Sequence, residues 1–127
     1  MSTELIDKAQ VILQAMNGQH GILGCLLIAN DGGLLASSLP AEIDTAMIAS
    51  LCSTLFSNNS ISIRRMNRGE LAQMTLVTER GILHFYQIAD AVLVVLTARG
   101  HKVSLEGLLR LVEEQGQSLA HLVDSAS

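Results

Sequence analysis

Apolar residues fall on helical spacing over residues 3–17, at Leu5, Ile6, Ala9, Ile12, Leu13 and Met16, which predicts one amphipathic helix. Asn17-Gly18 ends it, because glycine enters the left-handed conformation beyond a helix at no steric cost. Residues 21–29, GILGCLLIA, are apolar without alternation and predict a strand covered on both faces. Asn30-Asp31-Gly32-Gly33 follows, a hairpin signal because these residues tolerate positive φ. Leu34 to Ser38 is then a short return strand. Ser38 is the expected N-cap of the next helix, with Pro40 in its first turn.

Residues 40–66 predict a long helix with two adjacent apolar stripes. One is Ile43, Met47, Leu51 and Leu55; the other is Ile48, Cys52, Phe56 and Ile63. Ser57-Asn58-Asn59-Ser60 favours caps and turns over helix, so continuity through it is left open. Three strands follow: Glu70 to Thr78, with Met74 and Leu76 facing one way and Gln73 and Thr75 the other, then Ile82 to Ile88, then Ala91 to Ala98. Glu79-Arg80-Gly81 and Ala89-Asp90 are the turns between them. A last helix runs from Ser104 to about Val123, with Leu105, Leu108, Leu109, Val112, Leu119, Leu122 and Val123 on one stripe. Residues 124–127 are polar and predict a frayed tail.

The elements read helix, two strands, helix, three strands, helix, in a single α/β (α+β) domain over residues 1–127. Segments 21–29 and 91–98 are apolar on both faces and belong in the sheet centre. The short 34–38 and the partly polar 70–78 belong at the edges. The predicted sheet is five-stranded and mostly antiparallel, in the order 2-1-5-4-3, with helices on both faces.

Composition sharpens this picture. Hydrophobic residues make up 49% of the 127, with only two Phe, one Tyr and no Trp, so the core is aliphatic. So much apolar surface on a short chain predicts that part of it is buried against a partner. A net charge of −4 gives no broad basic surface and argues against nucleic acid. No apolar run approaches the ~20 residues of a membrane span, and the polar start MSTELIDKAQ is not that of a signal peptide. Cys25 and Cys52 lie in apolar segments and are expected to be buried thiols in a cytoplasmic protein.

Candidate chemistry is sparse. His20, His84, His101 and His121 have no metal-ligand spacing with a Cys or carboxylate, and His84 is expected to be a satisfied core or interface histidine. No nucleophile elbow, phosphate loop or dinucleotide fingerprint occurs. Arg64, Arg65, Arg68 and Arg99 carry the charge an arginine finger acting in trans would need, but helix-end and loop positions account for them without one. The reading is therefore of a protein that binds other proteins, with no catalytic, cofactor or metal residues assigned.

This order of elements, with GILGCLLIANDGGLLASS at its first hairpin, a long central helix, the hairpin from Leu71 to Gln87 and the strand ADAVLVVLTARG, resembles the Roadblock/dynein light chain family over nearly the whole chain. The resemblance implies a homodimer built on the long helix and the third strand. It also implies association with a Ras-like small GTPase as a regulator, or alternatively service as a structural light-chain or scaffold subunit without effect on GTP hydrolysis. A small-ligand sensor is a third class, which the scarcity of aromatics and convergent polar groups disfavours.

The residues agree with a dimer on their own grounds. Strand 70–78 has an open edge, which assigns Leu71, Gln73, Thr75 and Val77 to self-pairing. The stripe Ile48, Cys52 and Phe56 is taken as the surplus one, free to pack on a second helix. Glu42 and Asp44 open the helix while Arg64, Arg65 and Arg68 close it, so an antiparallel pair would set acid against base. The helix macrodipole favours the same placement within one chain.

Overall fold

The chain forms helix α1 (Thr3–Met16), a hairpin of β1 (Ile22–Ala29) and β2 (Leu34–Ser37), helix α2 (Thr45–Arg65), strands β3 (Gln73–Thr78), β4 (Gly81–Ile88) and β5 (Ala91–Ala98), and helix α3 (Leu105–Ser125). The structure, a computed structural model, describes residues 3–98 and 105–125. The strands make one sheet in the order β2-β1-β5-β4-β3, with every neighbouring pair antiparallel. The predicted fold class and strand order are those observed. Arg99, His101 and Ser104 lie outside the described residues.

Side chains of successive strand residues alternate between two cores. Cys25, Leu27, Leu93, Val95, Tyr86 and Ile88 face α1 and α3, where Ala9, Leu13, Met16, Val112, Leu119 and Val123 meet them. Leu26, Ile28, Phe85, Val92 and Val94 face α2, which contributes Ala49, Cys52 and Phe56. A bulge between Ile22 and Gly24 shifts the register of β1, so Ile22 joins the α1/α3 core and Leu23 is turned out to solvent. Gly24 is needed there: a Cβ would stand 2.7 Å from Leu39 Cδ2 and 3.2 Å from Leu39 Cα.

The elements differ from the sequence expectation at their ends. Helix α2 begins at Thr45, not at residue 40. Its N-cap is Asp44, whose Oδ1 accepts the Met47 N–H at 3.1 Å. Ser38 is drawn into other work: its hydroxyl accepts the Cys25 N–H and donates to Asn17 Oδ1, both at 2.9 Å, tying the end of α1 to the hairpin. At its far end α2 closes on Asn67, at φ +58°, with Asn67 N–H bonded to Arg64 O and Arg68 N–H to Ile63 O. That pair of bonds satisfies carbonyls the helix leaves open.

The helix also runs unbroken through Ser57-Asn58-Asn59-Ser60. Asn59 Nδ2 donates to Leu55 O and Ser62 Oγ to Asn58 O, one turn back along the axis, so these polar side chains bond to the helix backbone and do not interrupt it. Strand β3 starts at Gln73, three residues later than expected, which leaves Leu71 before the strand and packed against the α2-side core. Helix α3 extends through Ser125, into the tail expected to fray.

Both cysteines are free and buried. Burial pushes the Cys25 thiol up to about 12, against the lowering effect of its contact with Ser38. His84 is buried as expected, but it is not satisfied: its Nε2 finds no hydrogen-bond partner among the described residues. Its cross-strand neighbours are Thr75 and Val95, and its ring stacks on Tyr86 at 6.3 Å. Burial lowers its pKa, because the charged imidazolium is the form that desolvation penalises.

This sets a direction for acid stability. Unfolded, the imidazole takes a proton near pH 6.5. Folded, it does so only at lower pH, so its share of stability is complete above about pH 6.5 and is lost as pH falls below that value. Denaturation midpoints should therefore drop between about pH 6.5 and pH 5, and His84→Leu should flatten that part of the profile. A variant with the wild-type slope would remove His84 as the cause.

Candidate interaction surface

The sheet is covered unequally. Two helices, α1 and α3, pack on one face, and α2 alone packs on the other. Five strands at ~4.8 Å spacing make a face roughly 20 Å wide, and helices pack about 8–10 Å apart, so one helix does not cover it. The uncovered part lies toward β3: Leu71, Met74, Leu76, Leu83 and Leu96 pack on the α2-side core and stay only half-buried.

Helix α2 borders this gap with an apolar stripe of its own. Cys52 and Phe56 are only 4% and 6% exposed and sit against the sheet with Ala49; Ile48 is half-buried beside them. The stripe taken from the sequence as surplus is thus the one the chain buries itself. The exposed stripe is the other: Ile43, Met47 (52% exposed), Leu51 (55%) and Leu55, continued by Ile61. The two are exchanged because small residues at Ala49, Cys52 and Ser60 let the backbone of α2 approach the sheet, which bulky Met47, Leu51 and Leu55 would prevent.

The remaining expected interface residues lie on β3, the outer strand, which has β4 on one side only. Gln73, Thr75 and Val77 are exposed, Val77 at 77%. They pair with Tyr86, His84 and Ile82, so their side chains lie on the α1/α3 face while Met74 and Leu76 face α2. The charges divide along α2 as read from the sequence. Glu42 and Asp44 stand exposed at its start, and Arg64, Arg65 and Arg68 exposed at its end. Arg64 is engaged within the chain, its Nε 3.2 Å from Glu70 Oε2. Among the described residues no three His, Cys, Asp or Glu gather into a metal-binding group, and no helix is long and apolar enough to cross a membrane.

The strand order β2-β1-β5-β4-β3, with one helix on one face and two on the other, is that of the Roadblock fold. The Roadblock/LC7 domain model matches residues 8–97, and the chain belongs to that family. An uncharacterised protein of Methanocaldococcus jannaschii is 30% identical over 107 residues, covering 84% of this chain and 89% of that protein. Among solved structures, MglB of Myxococcus xanthus superposes with a TM-score of 0.89 at 18% identity, covering all of this chain and 96% of that one. The gliding protein MglB of Thermus thermophilus gives 0.83 at 16%, covering 98% and 95%. At these identities the likeness is one of fold.

Proposed function

We propose that this chain is a non-catalytic homodimeric scaffold or regulator of a Ras-like small GTPase, acting in the cytoplasm. The observation that carries the dimer is the half-covered sheet face. A second copy related by a two-fold axis supplies the missing helix, setting its α2 stripe against Leu51 and Leu55 and over Met74 and Leu76. Antiparallel β3 strands meeting at the axis would make one continuous sheet and close the open edge. Membership of the Roadblock/LC7 family supports the GTPase as the partner that docks on this dimer.

Light scattering on the purified chain should give the mass of two copies. Pull-downs with small GTPases of the same genome, loaded with GTP or GDP, should then retain one of them, and a hydrolysis assay separates the two roles. Faster hydrolysis identifies a regulator; binding at an unchanged rate identifies a structural scaffold. Retention of no GTPase in either state would overturn the partner half of this reading.

Charge supplies a further check on the dimer geometry. Helix α2 is 21 residues long, about 31 Å at 1.5 Å per residue. An antiparallel pair crossing near Thr54 brings the acidic start of one helix beside the basic end of the other. Because exposed pairs contribute only ~0–1 kcal/mol each, the double change Arg65→Glu with Arg68→Glu should weaken the dimer by about tenfold in low salt. The effect should shrink at high salt, where screening is stronger. Sedimentation equilibrium showing no change at low salt would rule out that crossing.

A further inference from the structure

The sheet has two outer strands, and the two edges are not alike. Strand β2 is the short one, four residues from Leu34 to Ser37. Ser38 N–H donates to Cys25 O at 2.9 Å, toward β1. Along an antiparallel strand these directions alternate, so the backbone of Ser37 faces outward, where a sixth strand would lie. That place is taken by one side chain. Gln10, on α1, donates from Nε2 to Ser37 O and accepts the Ser37 N–H at Oε1, at 3.0 Å for the latter. A single primary amide thus makes both bonds that one residue of an added strand would make.

We infer that Gln10 is the closure residue of the assembly: it seals the β2 edge so that self-association runs through β3 alone and stops at two copies. The inference rests on the dimer reading above. A chain with two competent edges can add copies end to end without limit, whereas one competent edge permits only a closed pair. Leu34, at the other end of β2, is exposed and adds an apolar side chain to this edge.

The experiment uses the full chain and two variants, followed by light scattering over a concentration series and by amide exchange at Ser37. In Gln10→Ala the Ser37 amide should exchange on the order of tenfold faster, as expected for loss of one satisfied hydrogen bond. The particle should grow beyond two copies as concentration rises. Gln10→Glu keeps the acceptor but loses the donor, and should protect the Ser37 amide while still permitting growth. Adding Leu34→Lys to Gln10→Ala should return the particle to two copies, since an edge lysine opposes strand addition.

A Gln10→Ala protein that stays at two copies at every concentration overturns the closure role, as does unchanged exchange at Ser37. A wild-type chain of one copy instead overturns the dimer reading. The clasp is then judged by Ser37 exchange and by whether Gln10→Ala gains mass.

Discussion

Leu51→Glu should halve the mass of the particle and leave the fold intact. Leu51 is 55% exposed in the single chain, at the middle of the stripe formed by Ile43, Met47, Leu51 and Leu55. In a separate copy a glutamate there is solvated and is a better helix former than many residues, so the monomer loses little. In the proposed dimer the same position would lie close to the two-fold axis. Each copy then brings a carboxylate into an apolar contact, where desolvation and like-charge repulsion add. Hot-spot truncations alone cost about 2 kcal/mol or more, and a buried like-charge pair exceeds that. The dissociation constant should rise at least about 100-fold.

Light scattering at micromolar concentration should therefore report one copy, with a helical spectrum like that of the wild type. Leu51→Ala should produce a smaller shift in the same direction. If the Glu variant remains a pair, the dimer does not use this stripe. The same change one residue along, Cys52→Glu, should unfold the chain, because Cys52 is buried in the core of the copy that carries it.

That contrast marks the limit of what sequence could tell. The strand order was legible because GILGCLLIA and AVLVVLTA are apolar on both faces, which only central strands can be. The phase of α2 was harder, since both of its stripes are apolar and periodicity alone does not choose between them. The deciding signal was side-chain size, present in the sequence at Ala49, Cys52 and Ser60. A helix that must approach a sheet closely buries its small residues and one large anchor.

The start of α2 was misplaced for a different reason. Ser38, the expected N-cap, has its hydroxyl engaged by Cys25 N–H and Asn17, and Asp44, read from the sequence only as a charge, caps the helix instead. The clasp of Gln10 on Ser37 spans 27 residues, and no local pattern announces it.

Phe56→Ala should cost about 3–5 kcal/mol of stability, the range for emptying a buried aromatic site. Phe56 is the large anchor of the buried α2 stripe. Its ring lies 6.2 Å from that of Phe85, at 22° between planes, in a chain with only three aromatic residues. Phe85 is fully buried and sits between β3 and β5 in the sheet, facing Met74 and Val94 across the strands. The pair therefore fixes α2 to the sheet and sets which stripe of the helix is presented outward. Domains of this size have only about 5–15 kcal/mol in total, so the loss consumes much of the margin. Thermal melts should fall by about 10–25 °C.

Self-association should weaken as well, but by a route opposite to that of Leu51→Glu. There the folded copy persists and the contact fails; here the contact residues are intact and the helix bearing them loses its footing. Because binding to a second copy stabilises the folded form by mass action, the Phe56→Ala melt should rise with protein concentration. The Leu51→Glu melt should not. A Phe56→Ala protein that melts within about 3 °C of the wild type, a shift of under 1 kcal/mol, would show that α2 is held by something other than this aromatic pair.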